Sequence, residues 1–181
     1  MPAESFEIQR NKHDDVTKPK VFSRFKKLVT QGKVSGLWLG LTCASFSRAR
    51  RGRPDYSGWP PPLRGDDPAH IWGLKGLSKA DQDRVSLGNK LVLHSLRYIK
   101  LCVKHGVPCF LENPLTSRLW LVPPLQCLIR RCSTVLTFDH CQYGSPYRKP
   151  TKVLCWNIDA SGLDCRCSPC EGLCSYSKQK H

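Results

Sequence analysis

An α/β domain, built on a mostly parallel sheet with helices on both faces and closed by an irregular cysteine-rich tail, is the fold class this sequence predicts. Three observations carry that expectation. Apolar positions at helical spacing alternate with short apolar runs of strand length, in the rhythm helix, strand, helix, strand, helix, strand. The strand-like runs hold little polarity, as strands covered on both faces do. From residue 160 onward the periodicity stops, while Cys165, Cys167, Cys170 and Cys174 crowd together.

The elements follow in order. Residues 1–13 read as a flexible leader. Thr17-Lys18-Pro19 opens a helix with a hydroxyl N-cap and an early proline, and Val21, Phe22, Phe25, Leu28 and Val29 share a face before Gly32 stops it. A strand covers 34–41. Residues 48–70 are rich in Arg, Gly and Pro and read as one long loop, a length that compact domains keep for function or disorder. Ser78 caps a second helix with Asp81 at the capping-box position. Val85, Val92, Leu96, Ile99 and Val103 carry its face to Gly106. VPCFLENP is a second buried strand, 119–131 a helical stretch interrupted by Pro123-Pro124, and 134–139 and 152–157 two further strands. Trp38, Phe110 and Trp120 sit in apolar patterns and are expected in the core.

The chain has 181 residues and a net charge of +15, from 29 Lys and Arg against 14 Asp and Glu. That imbalance favours an anionic partner, DNA or another nucleic acid first. The first residues lack the apolar core of a secretory signal, and no run is long enough to span a bilayer, so no membrane is expected. Eleven cysteines, an odd number, then imply reduced thiols and an intracellular place, nuclear or cytoplasmic rather than secreted.

In an open sheet with parallel neighbours, ligands sit beyond the carboxyl ends of the strands. Cys43 follows the first strand and Glu112 closes the second, so the two are expected in one crevice. Ser47, Arg48, Arg50, Arg51 and Arg53 come directly after the thiol. Positive neighbours raise a thiol's thiolate fraction, and a buried carboxyl retains the proton a general acid needs. Covalent chemistry on a polyanion would use both. The bland readings stay open: Cys43 as a small hydrophobe at a strand end, Glu112 as a turn residue, the arginines as an import signal or a solvated run.

The order Thr42-Cys43-Ala44-Ser45-Phe46-Ser47, then Glu112-Asn113-Pro114, then Tyr143-Gly144-Ser145-Pro146-Tyr147-Arg148-Lys149, resembles the DNA cytosine-5 methyltransferases over roughly 15–157. The stretches LENP and CQYGSPYRKPTKV are closer to divergent members from phages and mobile elements. The resemblance implies a partial Rossmann-like, methyltransferase-type domain over 14–159. It implies Cys43 as the nucleophile on C6 of a flipped cytosine, Glu112 at the N3 edge, Asn113 holding the loop, and Arg148 with Lys149 at the base or backbone. It further implies S-adenosylmethionine as methyl donor, with Asp15 as its acidic contact. The family's Phe-x-Gly-x-Gly turn has no counterpart in these residues, so a second chain supplying the cofactor half is the expected partner. Two other readings stand beside an enzyme: a degenerate basic nucleic-acid-binding module, and a zinc-stabilised interaction protein.

The zinc reading rests on the tail at 160–181. Cys167, Cys170 and Cys174, with His181, have spacing that suits a tetrahedral ion, and Cys141 and Cys165 are further soft ligands.

Overall fold

The computed structural model describes residues 14–50 and 60–180. The leader 1–13, Arg51 and Arg53 of the basic loop, and His181 lie outside the described residues.

Helix α1, Pro19–Thr30, buries Val21, Phe25 and Val29 at the expected spacing and ends at Gly32, whose φ of 67° is left-handed. Its cap differs from expectation. Lys18 is the N-cap, with no side-chain bond, and the Thr17 hydroxyl instead donates to Asp15 Oδ1 at 2.7 Å. Helix α2, Lys79–Lys104, starts as its sequence requires: Ser78 Oγ accepts from the Asp81 N–H at 3.2 Å and donates to the Asp81 carboxylate at 3.0 Å. Helix α3, Pro123–Ile129, corrects the expected interruption. The two prolines begin this helix, where their missing N–H groups cost nothing, after a separate 3-10 turn at Arg118–Leu121.

The strands are β1, Leu37–Gly40; β2, Cys109–Pro114; β3, Thr134–Asp139; and β4, Pro150–Trp156. They form one mixed sheet in the order β1-β2-β4-β3. β1 pairs with β2 in parallel, while β4 pairs antiparallel with both β2 and β3. The expected mostly parallel sheet is therefore corrected, for a reason of chain length. The 140–149 connector between β3 and β4 is shorter than the dozen or so residues of a parallel crossover. β4 must return antiparallel, and it inserts between β2 and β3. Strands β1, β2 and β3 still run in one direction.

Helices on both faces is corrected as well. Side chains of α1, α2 and α3 all join one core with Leu37, Leu39, Cys109, Leu111, Leu154 and Trp156, on a single face of the sheet. The path from β1 to β2 to β3 moves across the sheet in one direction, and repeated right-handed crossovers in one direction keep their helices on the same side. The opposite face carries a smaller cluster of Leu136, Val153, Cys155 and Ala160, packed by Phe110 and Phe138. Beside it lies a shallow apolar groove of about 180 Å³, lined by Trp38, Phe110, Leu136, Phe138, Tyr143, Val153 and Leu163. Trp38, expected in the core, is 58% exposed and stacks on Phe110 with centroids 5.4 Å apart. Trp120 is buried as expected, its indole N–H on the Pro114 carbonyl at 2.9 Å. Among the described residues no helix is long and apolar enough to cross a membrane.

Candidate functional site

The topology brings three segments to one edge of the sheet. Gly40, the last residue of β1, pairs with Glu112, so the loop carrying Cys43 leaves the sheet where β2 ends. Asp139 closes β3 opposite Pro150, and Pro114 faces Thr151, so the 140–149 connector lies at that same edge. The antiparallel return of β4 is what delivers Lys149 there. Its ammonium sits 3.2 Å from Glu112 Oε1.

The Cys43 loop is anchored on several sides. Its turn closes through the Phe46 N–H on the Cys43 carbonyl at 3.0 Å. Asn113, fully buried, donates from Nδ2 to the Leu41 carbonyl at 2.8 Å, two residues before the thiol. Arg64 supplies the largest support. Buried to 1%, it bonds Ser45 Oγ, Asn89 Oδ1 and the carbonyls of Val85 and Ile71, and lies 3.8 Å over the Phe46 ring. Burial pulls its pKa down to about 10, still charged at neutral pH. Gly88 of α2 makes room for this packing, since a Cβ there would stand 2.6 Å from Ser45 Oγ and 2.9 Å from an Arg64 nitrogen.

The basic loop is more tightly tied than a run of arginines suggests. Arg48 bonds the Thr116 carbonyl at 2.9 Å and Asp66 at 2.7 Å, and Arg50 bonds the Pro61 carbonyl and Asp81. Arg118 meets Asp66 at 2.7 Å from the other side. Ser47 Oγ accepts from the Ala49 N–H, a local turn. Asp15 Oδ1 is engaged by the Thr17 N–H and hydroxyl ahead of α1.

Arg148 turns away from Glu112. Its Nε is 3.3 Å from Asp139 Oδ2, and a terminal nitrogen donates to the Cys167 carbonyl at 3.3 Å. Burial pushes the Asp139 carboxyl up, but the Cys167 N–H, Arg166 and Arg148 outweigh it and hold it below the usual range. His140, next along, has its pKa lowered by burial first and then by Lys149, against the pull of Glu112. Three buried polar atoms at this edge, Asn113 Oδ1, Asp139 Oδ1 and His140 Nε2, have no hydrogen-bond partner among the described residues.

A second centre lies beside the first. The Sγ atoms of Cys141, Cys167 and Cys174 fall within 4.8 Å of one another, all buried, and this trio is able to hold a metal. Cys170, expected as a ligand, is exposed and outside the trio, and Cys141 takes the place that spacing assigned to it. The Cys174 thiol is pulled down to about 6, chiefly by the Ser177 backbone N–H, while burial pushes Cys141 up to about 11.

Sequence reasoning missed Arg64, Arg118, His140 and Lys149's pairing with Glu112. Arg64 lay in a stretch read only as basic loop, and its flanking Leu63 and Gly65 were the available sign of an anchored residue. His140 was visible only as the residue between a strand end and Cys141.

The fold defines a mixed α/β domain in which the loop carrying Cys43 and the end of β2 carrying Glu112 leave the sheet at the same edge. Comparison with family models, with curated proteins and with solved structures finds no match to the chain.

Proposed function

We propose that this domain is a cytosine-directed, DNA cytosine-5 methyltransferase-like protein that binds nucleic acid and forms a covalent adduct through Cys43. One observation carries the reading: β1 and β2, parallel neighbours, deliver the Cys43 loop and Glu112-Asn113 to the edge where the returning β4 places Lys149. Those are the segments that the resemblance pairs in sequence.

The chemistry follows from the residues present. The Cys43 thiolate adds to C6 of an extruded cytosine, and the electron pair moves toward C5. Glu112, partnered by Lys149, faces the N3 edge. Asn113 holds the loop through Leu41. C5 takes a proton from solvent, and loss of the other C5 hydrogen then restores the double bond and expels the thiolate.

The residues present do not fit S-adenosylmethionine. Asp15 is engaged by Thr17, and the groove beside β1 and β2 is lined by apolar and aromatic side chains without the glycine turn a close-lying cofactor needs. No methyl-transfer step is assigned to this chain alone. A second chain carrying that half fits what is here: β1 has an outer edge with no strand paired to it among the described residues, and its aromatic face is uncovered.

The test is exchange of the cytosine C5 hydrogen with solvent, read as tritium released from C5-labelled duplex DNA. Release that disappears in Cys43→Ala and falls at least ~100-fold in Glu112→Gln supports covalent addition. DNA binding without release would leave the degenerate binding module, which the absent glycine turn favours for an isolated chain.

A further inference from the structure

We propose that Cys141, Cys167 and Cys174, completed by Cys165, form a structural thiolate site for one zinc ion, which locks the 140–149 connector to the cysteine-rich tail. The proposal stands independently of the cytosine reading.

The distances suit an ion rather than a disulfide. Cys167 and Cys174 Sγ are 3.9 Å apart. A tetrahedral zinc with Zn–S bonds of about 2.3 Å separates its sulfurs by about 3.8 Å, whereas a disulfide draws them to about 2.05 Å. Sulfur-only donors favour zinc over the harder divalent ions.

The surroundings are those of thiolates. The Ser175 N–H reaches Cys167 Sγ at 3.5 Å, and the Ser177 and Tyr176 N–H groups point at Cys174. Gln142 Nε2 lies 3.7 Å from both Cys141 and Cys174 sulfurs. Such N–H donors to sulfur fix ligand orientation and spread the charge of a metal–thiolate centre.

The same glutamine identifies the fourth ligand. Its Oε1 accepts from Cys165 Sγ at 3.8 Å, so a single amide stands between Cys165 and the trio. Rotation of that amide admits a fourth sulfur. Each thiol gives up its proton to solvent as it ligates. Four thiolates on zinc leave two negative charges, and Arg148 and Arg166, which share the single carboxylate of Asp139, leave one net positive charge beside the tail to offset part of them. The centre also joins the strand-end edge: Cys141 is the second residue of the connector that ends at Lys149, and Asp139 accepts from the Cys167 N–H at 2.8 Å.

The experiment uses the full chain purified under reducing conditions without chelator. Metal content is measured by elemental mass spectrometry, and cobalt substitution reports sulfur ligation through its charge-transfer band. The expected result is one zinc per chain. Cys141→Ser, Cys167→Ser and Cys174→Ser each weaken zinc by more than the ~100-fold typical of an outer-shell loss. Cys165→Ser weakens it beyond that ~100-fold as well, and Cys170→Ser leaves it unchanged. Because ligand variants can misfold, alkylation mapping on the unmodified chain is decisive: chelation must expose Cys141, Cys165, Cys167 and Cys174 and leave Cys170 unchanged. Absence of stoichiometric metal in a folded chain would overturn the site. Retention in Cys165→Ser with loss in Cys170→Ser or His181→Ala would overturn the ligand set.

Discussion

A cysteine's role here is set by where its strand leaves it. Cys102, Cys109 and Cys155 are buried in the body of the fold, Cys141, Cys167 and Cys174 cluster by the tail, and Cys43 sits half-buried on an anchored turn. Asn113 is the residue that ties this turn to β2. Asn113→Ala removes the bond to the half-buried Leu41 carbonyl and is expected to cost about 1 kcal/mol in urea unfolding. It should also abolish C5 exchange with Glu112 unchanged. An Asn113→Ala chain of undiminished stability would mean that the side chain does not hold the loop. Cys43 and Glu112 were legible as a pair of strand-end residues because each follows an apolar run and strand ends gather ligand-facing residues, and Asn113 only through the family resemblance. Arg64 and His140 were not, since partners of Arg64 are 7, 19 and 21 residues away, the charges facing His140 are on Lys149 and Glu112, and no local pattern announces them.

At the level of elements, helices were read better than sheets. Helix α2 carries its own evidence in a cap, a periodic face and a left-handed glycine after its last turn. β1 carries none of that kind. Its apolar run predicts a strand covered on both faces, yet Trp38 is exposed while Leu37 and Leu39 meet the core. Apolar composition shows that a residue can be buried, not that a layer exists to bury it. The clearest contact between elements is that of α2 with the Cys43 loop through Gly88. Gly88→Ala removes the glycine's cost in a helix but forces the new methyl onto Ser45 and Arg64. Overpacking is expected to win, with a net loss of about 1–3 kcal/mol measured as a lower urea midpoint. A stabilised Gly88→Ala chain would show that the loop yields easily.

Across the whole molecule, charge holds together segments far apart in sequence. Asp66 receives Arg48 from the loop after β1 and Arg118 from the turn after β2. Arg48 first, opposed by burial, and then Arg118 hold its carboxyl below the usual range. A depressed carboxyl contributes stability that is complete above its unfolded pKa, about 4, and lost as pH falls through the lower folded value. The side chain is half-exposed, so solvent screening limits the gain to about 1 kcal/mol or less. Comparing Asp66→Asn with the unmodified chain by urea unfolding should show a difference near neutrality that vanishes in acid below about pH 4. A difference that persists in acid would assign the effect to packing.

The order of elements, the starts and stops of α2 and the basic character were determined by the sequence itself, because capping, periodicity and net charge are local or additive properties. The tertiary structure decided the rest. It set the direction of β4, the single face of the sheet that takes the helices, the pairing of Arg48 with Asp66 and of Arg50 with Asp81, Lys149 against Glu112, and Cys141 in place of Cys170. Each of these depends on which distant segments meet, and that is fixed only when a short connector forces a strand to return and the core closes over one face.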